Sequence, residues 1–185
     1  MNTLEKLFEE TLRDIYYAEK AILKNLPKMA RKASSEDLAA AFESHVDETE
    51  VHVERLEKIF EMIGKAPRGK RCPAMDGLAE EAAEIMQDAE DDTVRDAGML
   101  AAAQSVEHYE ISRYGTLAAW AEKLGMSDAV ELLDATLEEE KATDLKLSEL
   151  ALSEINIEAS AGDGEKTSPR GSRQKRESGT AARRA

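Results

Sequence analysis

The chain has 185 residues and a net charge of −14, and it is 42% hydrophobic and 35% charged, with only 4% aromatics and 4 prolines. That balance is poor in strand formers and turn punctuation, which argues against a β-sandwich or barrel and for one all-α domain. No apolar stretch approaches the roughly 18 residues that span a bilayer, Met1 to Leu12 lacks a basic segment followed by an apolar run, and Cys72 alone cannot form an internal disulfide, so a cytoplasmic protein without soft-metal chemistry is expected.

Four long segments carry helical periodicity. The first, from about Thr3 to Lys32, places Leu4, Phe8, Leu12, Ile15, Ile22 and Leu26 on one face and is interrupted at Glu19. The second opens at Ser34 or Ser35, with Asp37 placed for capping, and runs through Leu38, Phe42, Leu56, Ile59 and Ile63 to Gly64. Its interruption is His45 to His52. A long connection from Gly64 to about Asp91 follows, with a short helical stretch predicted from Leu78 to Ala89. The third main segment starts near Asp92, runs through Leu100, Ile111, Tyr114 and Leu117, and stops at Gly125; its interruption is Glu107 to Glu110. The fourth, expected to be capped by Ser127, runs through Val130, Leu133, Leu137, Leu147 and Leu150 and is interrupted at Glu140 and Asp144.

Short links make segments one and two, and three and four, antiparallel hairpins, and the long crossover joins them into a four-helix bundle. From Ala159 onward every large apolar residue disappears, so residues 159–185 are expected to be a disordered tail beside a domain of residues 1–158. The tail holds seven Lys/Arg against three acids, which leaves −18 on the body. Such a body repels nucleic acid, leaving the basic tail as the one place where it could bind.

The four interruptions fall near the midpoints of their segments, at one depth in an antiparallel bundle. Any single charge could be a solvated surface group, but Glu19, Glu48, His52, Glu107, Glu140 and Asp144 at one level would face each other. Glu48 with His52 and Glu140 with Asp144 are each four apart and share a helix face. Glu110 is an additional candidate ligand, His45 and His108 are candidate outer-layer groups, and Tyr16, Tyr17, Tyr109 and Tyr114 lie close by. Five carboxylates in a core carry a large desolvation and repulsion cost, which two divalent cations would remove. Oxygen-rich ligands with one nitrogen suit iron or manganese, with zinc as a further option. The layout resembles that of dinuclear carboxylate sites in ferritin-like bundles.

LRDIYYAEKAILKNLPKM, FESHVDETEVHVERLEKIFEMIG, CPAMDGL, VEHYEISRYGTLAAWAEKLG and LLDATLEEEKATDLKLSELA resemble the YciE/YciF family of ferritin-like stress proteins, over about residues 3 to 156. The resemblance implies a homodimeric, dinuclear-metal bundle of the stress response. It implies ferroxidase activity with dioxygen or peroxide, two iron ions per chain being held by the side chains named above. The alternatives are a manganese catalase-like enzyme and a non-enzymatic protein that sequesters metal or binds a partner.

Overall fold

The computed structural model describes residues 2–165, with side chains as far as Ala161, and every regular element among them is helical. Helix α1 (Leu4–Lys32) starts under Thr3, whose hydroxyl accepts the Lys6 N–H at 3.3 Å. Helix α2 (Glu36–Met62) starts under Ser35, whose hydroxyl accepts the Leu38 N–H at 3.2 Å. Helix α3 (Pro73–Asp88) lies in the crossover and begins at Pro73 rather than Leu78. Proline suits a first helical turn, where its missing N–H has no partner to lose, and the Cys72 sulfur accepts the Met75 N–H at 3.4 Å.

Helix α4 (Asp92–Lys123) is capped by Asp91, which accepts from the N–H groups of Thr93 and Val94. Both α2 and α4 end on a glycine in the left-handed region, Gly64 at φ 68° and Gly125 at φ 72°. Beyond each, the next N–H reaches back into the last turn, Lys65 to the Phe60 carbonyl at 2.9 Å and Met126 to that of Ala121 at 3.0 Å. Helix α5 (Ser127–Leu150) then starts with Met126 as its boundary residue and no side-chain cap. Ser127 does not cap it, because the tight turn leaves that residue already inside the helix. A π-helical turn (Ala151–Ile155) carries α5 into α6 (Asn156–Glu165). The expected boundary at residue 158 thus falls inside a helix that packs on α4. The tail from residue 166 lies outside the described residues.

α1 packs on α2 and α4 on α5, and the two hairpins meet with α1 against α4 and α2 against α5. This is the ferritin-like bundle with a long crossover. The crossover climbs α1: the Lys70 N–H donates to the Arg13 carbonyl at 2.9 Å, and Tyr17 donates to Asp76 at 2.7 Å. α3 then lies across α1 and α4. Close approach to α4 requires Gly98, where a Cβ would sit 2.4 Å from Ile85 Cγ2. At the far end, buried Asp96 of α4 accepts from the Ser34 N–H at 3.0 Å, the Ser34 hydroxyl at 2.6 Å and the Ser35 N–H at 2.7 Å. It clamps the α1–α2 turn to the start of α4. No described helix is long and apolar enough to cross a membrane.

Candidate metal centre

Each bundle helix buries residues at alternating steps of three and four, the spacing that keeps one narrow face turned inward. On α1 this stripe reads Leu12, Ile15, Glu19, Ile22, Leu26, and on α2 it reads Phe42, His45, Thr49, His52, Leu56. On α4 it reads Ala103, Glu107, Glu110, Tyr114, and on α5 Leu133, Thr136, Glu140, with Leu147 beyond. The four carboxylates and two imidazoles among them are all buried, and apolar layers close the bundle above and below.

Two groups of ligand atoms result. His45, Glu107, Glu110 and Glu140 offer atoms within 4.8 Å of one another, and so do Glu19, His52 and Glu140. Glu140 belongs to both. Its Oε1 lies 3.1 Å from His52 Nδ1 and its Oε2 3.9 Å from His45 Nε2, while His45 Nε2 is 3.3 Å from Glu107 Oε1 and His52 Nδ1 is 3.7 Å from Glu19 Oε1. The two imidazoles stand 6.3 Å apart. Among the described residues nine buried side-chain N or O atoms lack a hydrogen-bond partner, and eight of them belong to these six side chains. Orphaned polar atoms are costly in a core, and their concentration at one place fits a site that could hold a cation.

Each histidine is oriented from behind by a carboxylate. His52 Nε2 lies 2.9 Å from Glu139 Oε2, and Arg55 holds Glu139 through a two-pronged pair that includes Nη2–Oε1 at 2.9 Å. His45 Nδ1 lies 3.3 Å from Glu48 Oε2, which also accepts the Thr143 hydroxyl at 3.2 Å. With those nitrogens carrying the hydrogens, a neutral imidazole would present the lone pair of its opposite nitrogen to the centre, as metal-bound imidazoles do. Behind the pair, a recess of about 150 Å³ between α2 and α5 opens beside Glu48, Glu139 and Lys146.

Residues 3–160 match the family described as Domain of unknown function (DUF892). Protein YciF of Escherichia coli strain K12 is 48% identical over 160 residues, which cover 86% of this chain and 96% of that protein. The chain belongs to the YciE/YciF family. The crystal structure of the E. coli stress protein YciF superposes with a TM-score of 0.81 over 84% of this chain and 99% of that one. YcfI from Rhodopseudomonas palustris, 51% identical, gives 0.78 over 80% and 94%. Ferritin-like, diiron-carboxylate proteins from Bacillus anthracis, 21% identical, give 0.61 over 82% and 99%, a likeness of fold.

In this YciE/YciF-family bundle, Glu19, His52, Glu107, Glu110 and Glu140 come together as the sequence suggested, and two further candidates do not. Glu48 is 41% exposed and stands behind His45. Asp144 lies off the inner stripe, 3.4 Å from the exposed His108 and 3.5 Å from Gln104. His45 takes an inner position instead of an outer one. Of the four tyrosines only Tyr114 reaches the cluster, donating to Glu19; Tyr16, Tyr17 and Tyr109 donate to Glu57, Asp76 and Asp14. Glu139 went unnoticed in sequence, inside the run Glu138–Glu140. Carrying the three–four alternation through the interruptions would have found the inner set: it selects 45, 49 and 52 on α2 and 140 on α5, and it passes over 48 and 144.

The electrostatics carry the same message. Burial, and then the Glu140 charge, push Glu19 up to about 8, and the same causes hold Glu107 and Glu110 well above the ordinary 4.5. Burial opposes a charged His52, but Glu140, Glu19 and Glu139 outweigh it and raise the imidazole to about 9. In the metal-free chain burial therefore favours the protonated forms of Glu19, Glu107 and Glu110. Outside the cluster, hydrogen bonds from Arg55 and from His45 hold Glu139 and Glu48 below the usual carboxylate range. These two stay charged and keep the imidazoles aligned.

Proposed function

We propose that this chain is a dinuclear-metal protein of the ferroxidase type, which oxidises ferrous iron with dioxygen or peroxide. The observation that carries the reading is the set of eight partnerless buried atoms on His45, His52, Glu19, Glu107, Glu110 and Glu140. His45, Glu107 and Glu110 would hold one cation and Glu19 and His52 the other, with Glu140 shared between them. Four carboxylates and two imidazoles fit iron or manganese, and four negative charges match the four positive charges of two divalent ions. When bound, the pair supplies one-electron redox chemistry and Lewis acidity.

The chain's own residues set the conditions for that chemistry. Glu139 and Glu48 fix the imidazole tautomers, and the apolar layers keep bulk water away from the carboxylates. Binding displaces the protons held at Glu19, Glu107 and Glu110. Tyr114 keeps its phenolic proton at Glu19, because burial, followed by the charges of Glu19 and Glu110, raises its pKa well above 10. The likeness to the E. coli stress protein YciF supports placing this activity in a stress response.

Elemental analysis after anaerobic Fe(II) loading should give about two iron per chain, and exposure to dioxygen or peroxide should oxidise both. Two metals without oxidation would leave a sequestering protein. No metal would overturn the reading altogether. Manganese retained from the cell, with peroxide disproportionation, would give the catalase-like alternative.

A further inference from the structure

On the side of the centre opposite the polar recess, the bundle contains a second space of a different character. It lies beneath α3, between α1 and α4, and has a volume of about 120 Å³. Ile22, Leu26 and Met29 of α1 form one wall and Met75 and Met86 of α3 another. Small residues keep it open, Ala79 and Ala82 on α3 facing Ala102 and Ala103 on α4. At its inner end stand His45 and Glu107, both at least nine-tenths buried, and each contributes a partnerless atom, Nε2 and Oε2. Asn25 and Lys28 mark its outer mouth.

An apolar cavity of about 150 Å³ is large enough to take up benzene or xenon, so this space is of the right order for one small organic molecule. Its methionine, leucine and alanine walls give a hydrated ion nothing to replace its water, which excludes the cations and anions that the polar recess could admit. Methionines adapt their shape to an occupant at little cost. In the metal-free chain the two polar atoms at the inner end offer a hydrogen-bonding contact to the occupant's leading atom.

We propose that this cavity binds a small uncharged organic molecule, apolar in body, which enters beneath α3 and presents its polar end to His45 and Glu107. Its use as a substrate of the centre rests on the dinuclear reading; its occupancy does not, and is measured without metal.

The test uses the metal-free full-length chain carrying ¹³C-methyl methionine, titrated with benzene and then with phenol. The methyl signals of Met29, Met75 and Met86 and the imidazole signals of His45 should shift saturably, while those of Met62 and Met126 stay in place. Phenol should bind at least threefold more tightly than benzene, because its hydroxyl finds partners at the inner end. Ala82→Leu on α3 and Ala103→Leu on α4 each fill the space from a different wall and should weaken binding at least tenfold, with helicity unchanged by circular dichroism. Absence of saturable shifts up to benzene's solubility, or equal binding by a folded filled variant, would overturn the proposal. A chain that binds benzene here but holds no metal would keep the cavity and lose the dinuclear reading. Two metals per chain with no benzene bound would do the reverse.

Discussion

Glu140 is the residue on which both halves of the centre depend, since one of its oxygens faces each histidine. Glu140→Gln should therefore lower metal content from about two to below one per chain, whereas Glu19→Gln and Glu107→Gln should each remove about one. Elemental analysis of the three variants checks this, and equal losses in all three would contradict two groups sharing one carboxylate. The orienting carboxylates predict a gentler effect. Glu139→Gln keeps the shape but weakens the hold on His52, so affinity should fall about 10- to 100-fold with stoichiometry retained, as is usual for groups behind a metal ligand. Competition with a chelator of known affinity measures it. This division between inner and outer residues was only half legible in the sequence. The depth of the site followed from four interruptions at one level, but its membership depends on rotation about each helix axis. At about 100° per residue, His52 returns to within about 20° of His45, whereas Glu48 falls about 60° away. Pairing Glu48 with His52 by their spacing of four therefore chose the edge of the face over its middle, and Asp144 was misplaced relative to Glu140 for the same reason.

Elements were more legible than residues, because their ends carry strong local signals. Gly64 and Gly125 stand where the sequence put them, Ser35 is one of the two serines it offered, and each ends or starts its helix with neighbours in the chain, by a left-handed glycine or a side-chain cap. What stayed hidden depends on contacts distant in sequence. The extension of α5 runs through a π-helical turn that buries Ala151 and Ile155 and packs on α4, and the start of α3 uses a cysteine sulfur as a cap, which no common capping preference suggests. Asp96 is the clearest case. It sits in the first turns of α4 like any acidic residue near a helix N-terminus, yet it is 2% exposed and satisfies the donors of a turn more than 60 positions away in the chain. Asp96→Ala should cost about 2–4 kcal/mol, since it leaves buried N–H groups without acceptors and unties the two hairpins. Urea denaturation of the metal-free protein gives the value; a loss under about 0.5 kcal/mol would mean that water takes over the carboxylate's role.

The whole molecule combines an acidic body with a core that gathers more acid at its centre, and this fixes how its stability responds to pH. Glu19 rises from an ordinary 4.5 to about 8 in the folded chain, and Glu107 and Glu110 shift the same way. A carboxylate raised in the fold contributes stability that is full below 4.5 and is lost as pH climbs through its folded value. His52, raised from 6.5 to about 9, likewise contributes fully below 6.5 and loses that contribution as pH passes 9. Glu48 and Glu139, lowered in the fold, act in the opposite sense and lose theirs as pH falls below the usual carboxylate value. The metal-free chain should consequently be most stable near pH 5, with its melting temperature falling steadily from there to pH 9. Bound cations replace the protons and reverse the trend, because deprotonated carboxylates and a neutral imidazole are the forms that ligate. The gap in melting temperature between metal-loaded and metal-free protein should therefore widen with pH, accompanied by proton release on loading at pH 6 to 7. Differential scanning calorimetry across that range, paired with loading in weakly buffered solution, measures both quantities. A metal-free melting temperature that rises between pH 5 and 9 would show that the central carboxylates are already ionised without metal, and that the fold neutralises them by some means other than protons.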